Sequence, residues 1–238
     1  MTLEQLKKEV CKANLRIVQE GLVIHTWGNA SGVDRERGVM IIKPSGVPYK
    51  GMTARQMVAV DLESGRVVGG KLKPSSDTPT HLVLYRAFKE IGGIVHTHSP
   101  RATAWAQARR SIPALGTTHA DYFADGVPCT RALQPEEIAG EYEVNTGNVI
   151  VECFKGVEPL SIPAVLVAYH APFVWGASVG AAVENAVVLE SVAAIAAETL
   201  ALNPTAPALP AALLAKHFGR KHGPKAYYGQ KSELRKKN

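Results

Sequence analysis

Gly92-Gly93-Ile94-Val95-His96-Thr97-His98-Ser99-Pro100 is the stretch from which the rest of the chain is read. Two glycines end one element, and residues 94–98 then read as a short strand. Side chains alternate faces along a strand, so His96 and His98 point the same way, roughly 6.6–6.8 Å apart along the chain. Two imidazoles so placed can converge on one ion, and imidazole suits zinc and similar transition metals. Ser99-Pro100 reads as the cap and first residue of a helix. Taken alone, the H-x-H pattern fits two ordinary histidines in a half-buried strand just as well.

Upstream, Thr2-x-x-Gln5 is a capping box, and Leu6, Val10, Ala13 and Ile17 form one helical face. Thr26-Trp27-Gly28-Asn29 is a loop of small and polar residues whose backbone can approach a ligand. A strand over 38–43 runs into Lys43-Pro44-Ser45-Gly46, where an ammonium, a hydroxyl and a glycine amide could hold a phosphate. Residues 57–62 and 66–68 read as a hairpin about Glu63-Ser64-Gly65. Lys73-Pro74-Ser75-Ser76-Asp77-Thr78-Pro79-Thr80-His81 opens a helix on which His81, Leu84, Tyr85 and Phe88 share a face. Ser75, Ser76 and Asp77 fall at its N-terminus, where free amides favour anions. Asp77 could equally serve as a plain cap.

Downstream, a helix runs from Pro100 to about Arg109, and Pro135 with Glu136-Glu137 opens another. Residues 148–154 and 164–169 read as strands, the second ending at His170, with 173–176 short and extended. A long helix over 178–202 closes the core, residues 205–210 form a linker, and a short helix covers 211–218. His170, like His96 and His98, stands at a strand end. Three histidines from two strand ends leave one position open on a tetrahedral metal, the mark of a catalytic site. Asp77 could fill or border that position.

Composition limits the alternatives. With 238 residues, 46% hydrophobic and 20% charged, the chain can build a sizeable core. Glu184, Asn185, Glu190 and Glu198 interrupt the most apolar stretch, 179–202, which argues against a membrane span. The N-terminus reads as a soluble helix, and Cys11, Cys129 and Cys153 are scattered and odd in number. Both point to the reducing cytoplasm. The net charge is +6, but residues 216–238 alone carry +7, which leaves the body near neutral at −1. A nucleic-acid binder more often carries its basic face on the fold, so neither nucleic acid nor membrane is expected as a partner.

The polar strings together resemble the class II sugar-phosphate aldolase and epimerase superfamily. They include Gly116-Thr117-Thr118-His119-Ala120-Asp121-Tyr122-Phe123, Gly140-Glu141-Tyr142-Glu143 and His222-Gly223-Pro224-Lys225-Ala226-Tyr227-Tyr228 besides the segments above. The likeness runs in register from residue 2 to about 230, and its nearest branch is the pentulose-phosphate 4-epimerases. One departure is His170-Ala171-Pro172-Phe173 where the family has H-G-P-F; another is the eight residues after Gln230, expected to be a disordered basic tail.

The resemblance implies a single three-layer α/β/α domain over 1–230 with a largely antiparallel central sheet. It implies a homotetramer with active sites at subunit interfaces. His96, His98 and His170 would hold zinc, with Asp77 as fourth ligand or acid/base. Asn29, Lys43, Ser45, Gly46, Ser75 and Ser76 would bind the substrate phosphate. Thr117, Asp121, Glu143, His217, Arg220 and Tyr228 would come from the adjacent subunit. The implied reaction interconverts L-ribulose 5-phosphate and D-xylulose 5-phosphate. C4 has no neighbouring carbonyl, so its inversion requires C3–C4 to break as a retro-aldol, giving an enediolate that a Lewis-acid metal stabilises. Asp121 and Tyr228 would exchange the C4 hydroxyl proton. A true aldolase, which releases the aldehyde, typically has Glu where Asp77 stands. A metal hydrolase of the amidohydrolase kind also uses H-x-H, but it needs a barrel for which this chain is short.

Overall fold

The computed structural model describes residues 1–222, 226 and 227. Helix α1 (Leu3–Gln19) starts at the expected capping box: Thr2 Oγ1 accepts from the Gln5 N–H at 3.2 Å, and Gln5 Oε1 accepts from the Thr2 N–H at 2.7 Å. Strands β1 (Asn29–Asp34), β2 (Val39–Ile42), β3 (Val58–Asp61) and β4 (Val67–Gly69) follow, then α2 (Thr78–Ala87), β5 (Gly93–His96) and α3 (Pro100–Gln107). Short helices α4 (Thr117–Ala120) and α5 (Pro135–Ala139) lead to α6 (Tyr142–Cys153). Strands β6 (Ala164–Leu166) and β7 (Pro172–Gly176), then α7 (Val179–Leu202) and α8 (Ala211–His222), complete the described chain.

The seven strands form one sheet in the order β4-β3-β2-β1-β5-β7-β6, every neighbouring pair antiparallel. Alternation along β1 assigns its two faces. Ser31 meets His81 and Tyr85 of α2, whereas Gly32 lies against Leu6, Val10 and Val179 of α1 and α7. Helices therefore cover both faces, the expected three-layer α/β architecture. Asn29 pairs with His96 across the β1–β5 ladder, and His96 pairs with Phe173 across β5–β7. The centre of the sheet thus ends where the histidines gather.

Helix α7 is long and apolar enough to cross a membrane by length and composition. Its buried residues, including Ala182, Val183, Ala186, Leu189 and Ala193, recur at three- and four-residue spacing and pack against the sheet and α3. Its Glu190 carboxylate accepts the N–H groups of Arg101 and Ala102, at 2.8 and 3.0 Å. An acid in an apolar helix here caps the free amides of α3. That is the arrangement of a core helix.

Four local readings change. The strand expected over 94–98 ends at His96, so His98 lies beyond it. Residues 148–154, with Val149-Ile150-Val151, read as a strand, yet they belong to α6. β-branched residues favour strands only weakly against packing, and here Thr146, Gly147, Val149 and Ile150 form the buried face of a helix. Gly147 lets that helix lie close to α2, since a Cβ there would come within 2.6 Å of the Val83 Cβ. The strand expected over 164–169 ends at Leu166. Val167 then starts a turn, its N–H donating to the Ala171 carbonyl at 3.1 Å and its carbonyl accepting from the His170 N–H at 2.9 Å. His170 therefore sits in the β6–β7 turn, not at a strand end. Helix α8, expected over 211–218, runs on to His222.

Candidate active site and metal centre

His96 closes β5, His98 lies two residues beyond it, and His170 reaches the same place from the β6–β7 turn. Their ring centroids form a nearly equilateral triangle, 5.1 Å from 96 to 98 and 5.0 Å for each other side. One ring nitrogen from each lies within 4.8 Å of the others. The His96 ring stacks on Phe173 at 4.1 Å, and its Nδ1 is 2.9 Å from the Pro172 carbonyl. A carbonyl only accepts, so Nδ1 carries the proton and Nε2 keeps its lone pair. Burial pulls the His98 pKa below its usual range and His170 down to about 4, the neighbouring His96 adding to both shifts. Neutral imidazole is the form a metal binds. The buried His170 Nδ1 has no hydrogen-bond partner among the described residues. Three neutral, convergent imidazoles, one tautomer fixed from behind, fit a divalent metal.

Asp77 occupies the N-cap position of α2, but its side chain does not cap the helix. It turns away, and Oδ2 accepts from Asn29 Nδ2 at 2.6 Å and from Ser75 Oγ at 3.4 Å. Burial pushes its pKa up, but His96, His81 and the Asn29 hydrogen bond outweigh that and hold it below the usual carboxylate range. The plain-cap reading of Asp77 therefore fails.

The histidines and Asp77 face a cavity of about 490 Å³, lined by residues 26–29, 43–46 and 75–77 besides the three imidazoles. All six residues expected to bind phosphate line it: Asn29, Lys43, Ser45, Gly46, Ser75 and Ser76. The two loops that carry most of them are tied together. The Ser45 N–H donates to the Lys73 carbonyl and the Ser75 N–H to the Lys43 carbonyl, both at 3.0 Å. Lys43 is only 2% exposed; its ammonium lies 4.8 Å from the Tyr49 ring centre and donates to the Pro44 carbonyl at 3.3 Å. Burial lowers its pKa, opposed by the Asp77 charge. Gly28 holds φ +108°, and a Cβ there would meet the His96 carbonyl at 2.9 Å, so the loop over the metal end requires glycine.

A second polar cluster stands apart. Asp121, just after α4, is gripped by α8: Arg220 Nε and Nη2 donate to its two oxygens at 3.0 and 2.7 Å, and His217 Nδ1 lies at 3.0 Å. Burial pushes the Asp121 pKa up, but Arg220, His217 and Lys221 bring it below the usual range. The Thr117 carbonyl accepts the Asp121 N–H in the same turn. Glu143 lies in the first turn of α6, its carbonyl accepting from Thr80 Oγ1 at 2.6 Å. Thr117, Asp121, Glu143, His217 and Arg220 do not line the cavity of their own chain. Tyr228 lies outside the described residues.

Several residues in the site escape the sequence reading. Trp27 lines the cavity and its ring lies 6.4 Å from His98. Tyr142 approaches His170 at 6.4 Å, and Phe173 backs His96.

Residues 8–197 match the family model for the class II aldolase and adducin N-terminal domain. The chain belongs to that family. Among solved structures, this class II aldolase-family chain is similar to an L-fuculose 1-phosphate aldolase, with 27% identity and a TM-score of 0.76, covering 91% of this chain and 97% of that one. It is similar to YgbL from Klebsiella pneumoniae, with 26% identity and a TM-score of 0.72 over 91% and 99% of the two chains. The fold is shared with the L-fuculose-1-phosphate aldolase of Thermus thermophilus, at 23% identity and a TM-score of 0.64 over 86% and 99%. Class II aldolases act on small sugar phosphates with a divalent metal, and the three-histidine group is where this chain would hold one.

Proposed function

We propose that the chain is an L-ribulose-5-phosphate 4-epimerase, interconverting that sugar with D-xylulose 5-phosphate in the cytoplasm as a homotetramer. The observation that carries the reading is Asp77. The shorter acid stands in the cavity with the histidines, where aldolases of the superfamily typically have Glu, and Asn29 and Ser75 restrain it. A longer carboxylate could deliver a proton to the three-carbon fragment and let the products leave; Asp77, held back, favours recombination.

Held by His96, His98 and His170, with Asp77 as fourth ligand or acid/base, a divalent ion, zinc in our reading, would polarise the substrate oxygens as a Lewis acid. Lys43, Ser45, Gly46 and Ser76 bind the 5-phosphate at the cavity wall. Asn29 and Ser75, which donate to Asp77, link the phosphate end to the acid. Asp121 of a neighbouring chain, kept ionised by Arg220 and His217, accepts the C4 hydroxyl proton as the C3–C4 bond breaks. The two-carbon aldehyde turns over in place, the bond re-forms, and Tyr228 returns a proton to the C4 oxygen on the other face. Thr117 and Glu143 accompany them.

The second reading is a sugar-phosphate aldolase, favoured by the likeness to an L-fuculose 1-phosphate aldolase. The name of YgbL leaves aldolase, epimerase and decarboxylase open. Comparing wild type with Asp77→Glu separates the two readings. The epimerase reading expects wild type to convert L-ribulose 5-phosphate without accumulating dihydroxyacetone, and Asp77→Glu to release a larger share of it per turnover. Dihydroxyacetone and glycolaldehyde phosphate as the main wild-type products would make this an aldolase.

A further inference from the structure

Among the described residues only His25, Arg109 and Tyr169 hold a positive φ without being glycine. Arg109 (φ 55°) and Tyr169 (φ 64°) meet each other, the guanidinium carbon lying 5.0 Å from the ring centre. Each has a local reason for its φ. Helix α3 ends with the Arg109 N–H on the Ala106 carbonyl at 3.0 Å and the Arg110 N–H on the Trp105 carbonyl at 3.1 Å. That pair of bonds is a Schellman motif, and Arg109 stands where the motif favours glycine. Tyr169 is the third residue of the tight turn from Val167 to His170, closed by the His170 N–H on the Val167 carbonyl at 2.9 Å. A positive φ in that place is again best served by glycine or asparagine.

Side chains in this conformation cost stability and persist where the surroundings hold them, often beside a functional site. Tyr169 is 59% exposed, so its ring is not there to fill the core. What the ring does touch is Arg109. The two residues also share one acceptor: the Ala106 carbonyl takes the Arg109 N–H and the Tyr169 N–H, each at 3.0 Å. The end of α3 and the β6–β7 turn are thus joined twice, by backbone at Ala106 and by side chains at the Arg109–Tyr169 contact. Helix α3 starts two residues after His98, and Tyr169 directly precedes His170. One short helix therefore follows the first imidazole pair in the chain and ends on the turn that bears the third. On its other side the turn is held by the Ala168 N–H, which donates to Thr130 Oγ1 at 3.1 Å.

We propose that Arg109 and Tyr169 are positioning residues for His170: the guanidinium over the ring clamps the β6–β7 turn onto the end of α3 and fixes that imidazole relative to His96 and His98. Glycine at either place would suit the backbone and lose the clamp. The clamp deepens the proposed function, because it rests on His170 being a metal ligand.

Arg109→Gly and Tyr169→Gly in the full-length protein provide the test. Glycine relieves the left-handed strain while freeing the unfolded chain, so the melting temperature should hold or rise in both. Zinc affinity by calorimetry should nevertheless fall about 2–5-fold, the worth of one exposed cation–π contact. Tyr169→Phe, which keeps the ring, should bind zinc as the wild type does. The double glycine variant should lose no more than either single one, since both remove the same contact. Unchanged zinc affinity, additive losses, or losses that track a falling melting temperature overturn the clamp. A second readout needs no metal. In the ¹⁵N-labelled, metal-free protein, Arg109→Gly should quicken exchange of the Tyr169 amide about 2–5-fold and shift the His170 ring nitrogens. An amide and a ring indifferent to Arg109→Gly also overturn it. Should the wild type bind no zinc, the metal reading of His170 falls, and the amide and ring signals decide the clamp by themselves.

Discussion

Asn in place of His98 leaves a folded protein that holds no stoichiometric divalent metal and does not turn over pentulose phosphate. His98 sits beyond the end of β5, half-buried, and is not among the residues paired in the β1–β5 and β5–β7 ladders. Its ring closes the triangle with His96 and His170 at 5.1 and 5.0 Å. Two imidazoles and Asp77 would remain, a poorer donor set with one more open position. The loss should exceed the roughly 10–100-fold cost of removing a group behind a ligand. Chelation of the wild type should reproduce the loss, and re-addition of zinc or another divalent ion should reverse it. Elemental analysis with the rate assay checks both; full activity in metal-free protein would end the metal account.

Mixing two inactive variants should restore about one quarter of wild-type activity. Asp121→Asn alone should cost about 10²–10⁴-fold, the usual worth of one acid/base, while the cavity and histidines stay intact. Asp121 does not line its own chain's cavity, and α8 holds it through Arg220 and His217. In a ring of identical heterologous contacts, a site is whole only when an intact metal half meets an intact Asp121 half. Co-expressing His98→Asn with Asp121→Asn at one to one gives that meeting a chance of about one half times one half. A site within one chain would recover nothing, since every chain carries one defect. Tagged pull-down establishes that mixed rings form; activity at the single-variant level in such rings would exclude the shared site.

The parts legible in the sequence were those with a local physical rule behind them. The expectation that His96 and His98 converge held, their rings 5.1 Å apart although β5 ends at His96, and the small polar loops at 26–29, 43–46 and 75–77 proved to wall one cavity. Thr2 and Gln5 announced α1 directly. The parts that escaped depend on what lies opposite. Val149-Ile150-Val151 prefers a strand until Gly147 brings α6 onto α2, and only the three-dimensional neighbour reveals that. His170 was recognised, but its turn was not, because the reversal after Leu166 rests on backbone bonds between Val167, His170 and Ala171. Asp77 was balanced between cap and site; the deciding fact is an Asn29 hydrogen bond across 48 residues, which no local pattern encodes. The Phe173 ring under His96 is likewise a cross-strand pairing.

The central claim is that this cavity breaks and remakes the C3–C4 bond of a pentulose phosphate without letting the fragments go. Incubating L-ribulose 5-phosphate with the metal-loaded protein in D₂O, followed by ¹H and ¹³C NMR, tests it most directly. The account predicts D-xylulose 5-phosphate with no carbon-bound deuterium at C3 or C4, because carbon–carbon cleavage and re-closure disturb neither C–H bond. Deuterium at either carbon, dihydroxyacetone with glycolaldehyde phosphate as the main products, or an unchanged substrate would contradict it.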